Sequence, residues 1–166
     1  MKSPINPLIF IVDDDPAFAT LAKNELTNLN YNNLKIFNSG EECLKNLHFK
    51  PVIVLLDYAL NNGINGLEVL KKLTVALPNT TVIMLTAYDK LEIAVDSIKS
   101  GAYDYVIKSE TAFERIANLI RKIVRQNELR IANEQLEFGE KLVVIILLLI
   151  LIGTSLIYYF FPGIFN

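Results

Sequence analysis

"LIFIVDDDP" (residues 8–16) is a short apolar run that ends in three consecutive aspartates. Five apolar residues without a polar interruption indicate a β-strand that is covered on both faces. Asp15 stands directly before Pro16, an order typical of a helix cap followed by proline in the first turn. The stretch therefore predicts a buried strand and then a helix, with Asp13 and Asp14 at the carboxyl end of the strand.

The same pattern repeats up to about residue 125. Four more apolar runs alternate with stretches of helical periodicity; they are "LKIF" (34–37), "VIVLL" (52–56), "TVIML" (81–85) and "YVI" (105–107). Strict alternation predicts a parallel sheet with helices on both faces, because right-handed crossovers join parallel neighbours. We therefore expect an α/β fold with a doubly wound, five-stranded parallel sheet.

Apolar residues at helical spacing predict which face of each helix packs on this sheet. Two of these stripes are Phe18, Leu21, Ala22, Leu26 and Leu29 in the first helix, and Leu91, Ala94, Val95 and Ile98 in the fourth. In sheets of this kind the reactive site lies beyond the carboxyl ends of the strands. The residues at those ends are thus the candidates for chemistry.

Reactive side chains follow four of the five strands. Asp57 joins Asp13 and Asp14 at neighbouring strand ends, where mutual repulsion would raise their pKa values unless a cation were present. A hard divalent ion such as Mg²⁺ fits three carboxylates. Thr86 and Lys108 follow the next two strands and offer a hydroxyl and an ammonium to charged phosphoryl oxygens. The sequence predicts a phosphoryl-transfer site with an aspartate as candidate nucleophile.

Four motifs, "IVDDDP", "VIVLLDYAL", "MLTAY" and "GAYDYVIKS", carry a resemblance to a known family. In this order and spacing they resemble the receiver domain of response regulators in two-component signalling, over residues 8 to about 125. The resemblance implies the flavodoxin-like receiver fold and domain bounds of 1–125. It also implies a signalling protein that assists its own phosphotransfer and dephosphorylation, and is not otherwise an enzyme.

The resemblance further assigns a role to each site residue. It makes Asp57 the phosphoacceptor, and it makes Asp13, Asp14, Asp57 and the Ala59 backbone carbonyl the Mg²⁺ ligands. Thr86 and Lys108 would contact the phosphoryl group, while Thr86 and Tyr105 would act as the switch.

The chain departs from the family pattern in three places. Ser109 follows the lysine where the family usually has proline, commonly with a cis bond. The loop "YALNNGING" (58–66) lacks the usual proline and is one residue longer before Gly66. Ala59 and Tyr88 occupy positions that the family varies to set the phosphoryl lifetime. None of these departures removes a reactive group.

The end of the chain, "LVVIILLLILIGTSLIYYFF" (142–161), contains no charged side chain. Twenty helical residues at about 1.5 Å each reach about 30 Å, the thickness of a bilayer core. We therefore expect a helical linker over 126–140, a single transmembrane helix over 141–162 and a short tail over 163–166. Cations before the span and none after it predict a receiver on the cytoplasmic side of the cell membrane.

These features predict a membrane-anchored receiver that takes a phosphoryl group from a sensor histidine kinase and signals to an unknown output protein by contact. A net charge of −2 and the lack of room for a helix-turn-helix after residue 125 argue against nucleic acid as a partner. Two alternatives stay open. One is a receiver-fold membrane scaffold that is never phosphorylated. The other is a metal-dependent phosphatase that forms an aspartyl-phosphate intermediate, with Asp13 and Asp15 at the spacing of its nucleophile and its acid.

Overall fold

The computed structural model describes residues 6–61 and 63–160, and side chains as far as residue 153. It divides into two compact units, one ending at Val124 and one beginning at Arg125. The elements, in chain order, are β1 (Ile9–Val12), α1 (Pro16–Asn28), β2 (Leu34–Phe37), α2 (Gly40–Lys45), a 3-10 turn (Leu47–Phe49), β3 (Ile53–Asp57), α3 (Gly66–Ala76), β4 (Thr81–Thr86), α4 (Leu91–Lys99), β5 (Asp104–Ile107) and α5 (Ala112–Phe160).

The five strands form one parallel sheet in the order β2-β1-β3-β4-β5. This confirms the predicted five-stranded α/β fold. The strand order reverses between β1 and β3, which makes their carboxyl ends the switch point of the sheet. Val12 is in register with Leu56, so the next residues, Asp13 and Asp57, end adjacent strands.

Successive side chains of each strand enter two separate cores, because side chains alternate between the two faces of a sheet. On β1, Ile9 and Ile11 pack with buried residues of α1 and α5, while Phe10 and Val12 pack with those of α2 and α3. All four side chains are fully buried. Coverage on both faces explains why the strands appear in the sequence as nearly unbroken apolar runs.

The stripe predicted for α4 is correct only at Ala94, which packs against the core. Leu91, Val95 and Ile98 are 80%, 39% and 48% exposed, whereas Ser97 is fully buried. The Ser97 hydroxyl donates a hydrogen bond of 2.7 Å to the carbonyl of Ile93 in its own helix. Because this satisfies the hydroxyl internally, the serine can face the sheet, while the other three residues of the stripe are exposed.

The stripe predicted for α1 is correct only in part. Ala22 and Leu26 are buried, as is Ala19, while Leu21 and Leu29 are 47% and 38% exposed. Residues three and four apart share a helix face, and the buried set follows that spacing. The apolar residues outside it cover the margins of the helix.

Beyond Val124, α5 continues as helix to Phe160. Two ion pairs at i, i+4 spacing, Arg130 with Glu134 and Lys141 with Glu137, lie along it at 3.8 Å each. Within the described part of the chain, no helix has both the length and the apolarity required for crossing a bilayer. The described residues therefore do not support the predicted span over 141–162; its end at 161–162 and the tail at 163–166 lie outside them.

Candidate functional site

Three carboxylates meet at the switch point of the sheet. Asp13 and Asp14 follow β1, and Asp57 is the last residue of β3. One carboxylate oxygen from each lies within 4.8 Å of the others. Asp13 is fully buried, Asp57 is 4% exposed and Asp14 is half-buried. The structure thus brings together the three acidic residues that the sequence predicted as a cluster.

The ammonium group of Lys108, which follows β5, lies between two of these carboxylates. Its Nζ is 2.7 Å from Asp13 Oδ2 and 2.9 Å from Asp57 Oδ2. The same nitrogen lies 4.5 Å from the centre of the Phe18 ring on α1, in a cation–π contact that sequence reasoning missed. Lys108 is therefore held on three sides by groups that favour its positive charge.

Burial and charge act in opposite directions on these groups. Burial raises the pKa of Asp13 above its ordinary value, and the Lys108 charge offsets only part of that effect. Burial alone would lower the pKa of Lys108, but its contacts with Asp13 and Asp57 outweigh this and raise it. The lysine therefore stays protonated at neutral pH, and its charge helps to keep a buried carboxylate ionised.

The cluster fits a divalent cation. The three carboxylates carry three negative charges and the Lys108 ammonium carries one positive charge, which leaves a local excess of two negative charges. Asp13 Oδ2 is buried, and its contact at 2.7 Å is with the Lys108 ammonium, which cannot balance all three carboxylates. Buried carboxylates with uncompensated charge favour a further cation beside them. Mg²⁺ prefers carboxylate oxygens and retains positions for water and phosphate.

The loop after β3 stays close to Asp57. The Ala59 N–H donates to Asp57 Oδ1 at 3.4 Å, and the Gly66 N–H donates to the carbonyl of Tyr58 at 3.1 Å. A Cβ at Gly66 would lie 2.0 Å from the carbonyl oxygen of Asp57, so only glycine allows α3 to start this close to the site. The role of the Ala59 carbonyl as a metal ligand stays a prediction.

Asn61, in the loop after β3, is a site residue that the sequence analysis did not predict. Its side-chain Nδ2 donates to Asp14 Oδ2 at 2.7 Å, and its backbone N–H lies 3.3 Å from the same oxygen. Both donors bind one oxygen, so Asp14 Oδ1 takes no part in this contact. Asn61 therefore orients the most exposed carboxylate of the cluster, as groups behind metal ligands commonly do.

Thr86 and Tyr105 lie beside the cluster and meet at the backbone of Tyr88. The hydroxyl of buried Thr86 accepts a hydrogen bond of 3.1 Å from the Tyr88 N–H. The hydroxyl of Tyr105, which is 9% exposed, donates to the Tyr88 carbonyl. The two predicted switch residues are thus connected through one residue of the loop between β4 and α4.

Ser109 does not introduce a cis bond, and none occurs among the described residues. The Lys108 N–H donates to the Thr86 carbonyl at 2.7 Å, and the Ala112 N–H donates to the Ser109 carbonyl at 3.0 Å. The backbone on both sides of the missing proline is therefore fixed by hydrogen bonds.

Comparison with known proteins agrees with this fold and site. The family model for the response regulator receiver domain matches residues 9–131. The chain therefore belongs to the response-regulator receiver family of two-component signalling. A solved relative, the CheY-like receiver domain protein from Methanospirillum hungatei JF-1, aligns with a TM-score of 0.65 and 29% identity, over 72% of this chain and 95% of that one.

Similar full-length regulators are much longer than this chain. The transcriptional regulatory protein ZraR of Escherichia coli K12 is 36% identical over 103 residues, which cover 60% of this chain and 22% of ZraR. The DNA-binding transcriptional regulator NtrC of Klebsiella pneumoniae is 33% identical over 121 residues, which cover 73% and 26%. The chain thus spans about a quarter of the length of these two regulators.

Replacing Lys108 by methionine should leave Asp13 buried beside Asp57 without a counter-charge, at a cost of about 3 kcal/mol in the free energy of unfolding. The pKa of Asp13 should rise further, so the folded state would bind a proton that the unfolded state releases. The loss should therefore grow as the pH rises from about 4.5 to about 7.5. Urea unfolding in the presence of a chelator measures it.

The matched control is Lys99→Met, which removes an exposed lysine from α4 and should change stability little at either pH. Equal losses for Lys108→Met at both ends of the pH range would contradict the assignment of Lys108 as the counter-charge of Asp13.

Proposed function

We propose that this chain is a phosphoacceptor switch that receives a phosphoryl group on Asp57 from a sensor histidine kinase. The observation that carries the proposal is the Asp57 carboxylate, bound to Lys108 at 2.9 Å inside a cluster of three acids. In the transfer, the bond from a kinase histidine nitrogen to phosphorus breaks, and a bond from an Asp57 oxygen to phosphorus forms. Mg²⁺, held by Asp13, Asp14 and Asp57, would neutralise charge on the phosphoryl oxygens.

The side chains around Asp57 suit this transfer. The Lys108 ammonium already contacts the accepting carboxylate. It can therefore bind a phosphoryl oxygen there with little further loss of side-chain entropy. Asp57 is 4% exposed, so its carboxylate is in contact with solvent only slightly; this limits the access of water, which would hydrolyse the acyl phosphate.

The two alternatives make different predictions about phosphate. A scaffold that is never phosphorylated would show no label on Asp57. A phosphatase acting through Asp13 and Asp15 would release phosphate from many small substrates. Asp15 disfavours the second, since its Oδ1 accepts the Ala17 N–H at 2.9 Å as the cap of α1.

Asp57→Asn should abolish labelling of the full chain by acetyl phosphate and Mg²⁺, because the amide cannot form the acyl phosphate. Intact-mass spectrometry before and after hydroxylamine, which cleaves acyl phosphates, measures the label. Asp89→Asn is the matched control, an exposed aspartate in the neighbouring loop, and it should label like the wild type. Undiminished labelling of Asp57→Asn would contradict the proposal.

The phosphoryl signal would reach α4 through Tyr88. A Thr86 hydroxyl that turned toward the phosphoryl group would release the Tyr88 N–H, and the Tyr88 carbonyl is held by Tyr105. The backbone of Tyr88 would then lose its hydrogen bond to Thr86 and keep the one from Tyr105. Since α4 has no side-chain cap at Lys90, its first turn has little of its own to resist such a change.

The output would be binding of another protein to the apolar face of α4. Leu91, Val95 and Ile98 lie on this face together with exposed Tyr88 in the preceding loop. Exposed apolar side chains on one helix face are typical of a protein-binding surface.

Thr86→Ala should uncouple the two events: Asp57 would still be labelled, but labelling would no longer alter amide exchange in residues 87–99. The reason is that alanine has no hydroxyl to exchange between Tyr88 and the phosphoryl group. Hydrogen-exchange mass spectrometry with and without acetyl phosphate measures this. Thr81→Ala, at the other end of β4, is the control and should keep the wild-type response; a full response in Thr86→Ala would be the contrary result.

Attachment to the cytoplasmic face of the cell membrane is a further part of the proposal. Its support is the uncharged run 142–161 and the exposure of every described apolar side chain from Leu142 to Ile152, between 47% and 67%. Confinement to a membrane that also holds the kinase would raise the frequency of encounter. ZraR and NtrC are named as transcriptional regulators, but their match to this chain covers only the receiver; the absence of nucleic acid as a partner stays a prediction.

The full chain should float with vesicles of phosphatidylcholine and phosphatidylglycerol in a density gradient. The double variant Leu147→Lys, Leu151→Lys should stay at the bottom, because each lysine near the centre of a span costs about 2.5–3.5 kcal/mol. A control with the same added charge, Asn133→Lys and Gln135→Lys, should float like the wild type. Failure of the wild type to float would reject the attachment.

A further inference from the structure

The loop between β3 and α3 is held from outside the acid cluster by Glu41 on α2. The Glu41 Oε1 accepts a hydrogen bond of 2.8 Å from the backbone N–H of Ile64. That bond is the main reason that the pKa of Glu41 lies below its ordinary value. The acidic group and the loop amide therefore stabilise each other in the ionised state of the carboxylate.

The backbone beside this contact is shaped around the carboxylate. Gly63 has a φ of +112°, and a Cβ there would lie 2.0 Å from Glu41 Oε1. At Gly40, the first residue of α2, a Cβ would lie 2.3 Å from Val69 on α3. Glycine at both positions lets the start of α2 approach the loop closely enough for Glu41 to reach it.

The start of α2 is itself fixed. The Ser39 hydroxyl accepts the Glu42 N–H at 3.2 Å as the cap of α2, and Glu42 Oε2 accepts the N–H of Asn38, the residue before the cap, at 3.1 Å. Glu41 therefore projects from a rigid first turn. Three residues before Ile64, the same loop carries Asn61, which binds Asp14 through two donors.

We propose that Glu41 is a positioning residue for the phosphoacceptor site, which holds the longer β3–α3 loop so that Asn61 orients Asp14 and thereby sets the affinity for Mg²⁺. The loop lacks the proline of the family pattern, and the hydrogen bond from its Ile64 N–H to Glu41 of α2 restricts its backbone instead. The inference rests on the proposed function through its metal, but the shape of the loop can be measured without one.

The experiment compares Glu41→Ala with Glu92→Ala in the full chain. The control removes an exposed glutamate of α4, a helix that takes no part in holding the β3–α3 loop in this proposal. Calorimetric titration with MgCl₂ should show about tenfold weaker binding for Glu41→Ala and wild-type binding for Glu92→Ala, since groups behind metal ligands typically contribute about 10–100-fold. Glu41→Gln, which keeps an acceptor oxygen, should restore part of the affinity.

Amide exchange in chelator gives the second readout. Exchange of the Asn61 and Ile64 amides should be faster in Glu41→Ala and unchanged in Glu92→Ala. Unchanged exchange and unchanged Mg²⁺ affinity in Glu41→Ala, or an equal loss in both variants, would overturn the positioning role while leaving labelling of Asp57 untouched. If the wild type bound no Mg²⁺, the proposed function would fail at its metal, and with it the claim that Glu41 sets metal affinity.

Discussion

The structure depends on one electrostatic constraint: a parallel sheet whose order reverses between β1 and β3 must place the residues at the carboxyl ends of those strands side by side. Here they are Asp13 and Asp57, and both are almost fully removed from water. Two adjacent buried carboxylates repel each other, so the fold requires a cation between them. Lys108 supplies one positive charge from β5, and the remaining negative charge is what makes the site suited to a divalent ion and then to a phosphoryl group.

The same constraint connects the site to the surface. The strand that delivers Lys108 also delivers Tyr105, and the strand between it and the acids ends in Thr86. Thr86 accepts the Tyr88 N–H and Tyr105 donates to the Tyr88 carbonyl, so residues of both strands hold the loop that leads into α4. The cores are filled and stiff, whereas this loop and the exposed face of α4 are held by few contacts.

Much of this could be predicted from the sequence, because the decisive signals are local. Buried parallel strands produce unbroken apolar runs, and the residues just after them are bound to meet at one edge, which is why Asp13, Asp57 and Lys108 were found together. The predictions that failed concern features that depend on the folded structure. Ser97 of α4 is buried because its hydroxyl bonds within its own helix, which the apolar pattern does not indicate. Nothing in the sequence around Asn61 indicates that its side chain binds Asp14.

The replacement of the family proline by Ser109 shows how such a site tolerates change. Proline restricts the backbone next to the lysine by fixing a dihedral angle, whereas here the Lys108 N–H joins the ladder to β4 and the Ser109 carbonyl accepts the Ala112 N–H as α5 begins. A proline and these two hydrogen bonds each restrict the backbone conformation next to Lys108. The position of the ammonium group is then set by its partners, Asp13, Asp57 and the Phe18 ring, and not by the residue that follows it. In the loop after β3, hydrogen bonds do the same: Asn61 donates to Asp14, and the Ile64 N–H donates to Glu41.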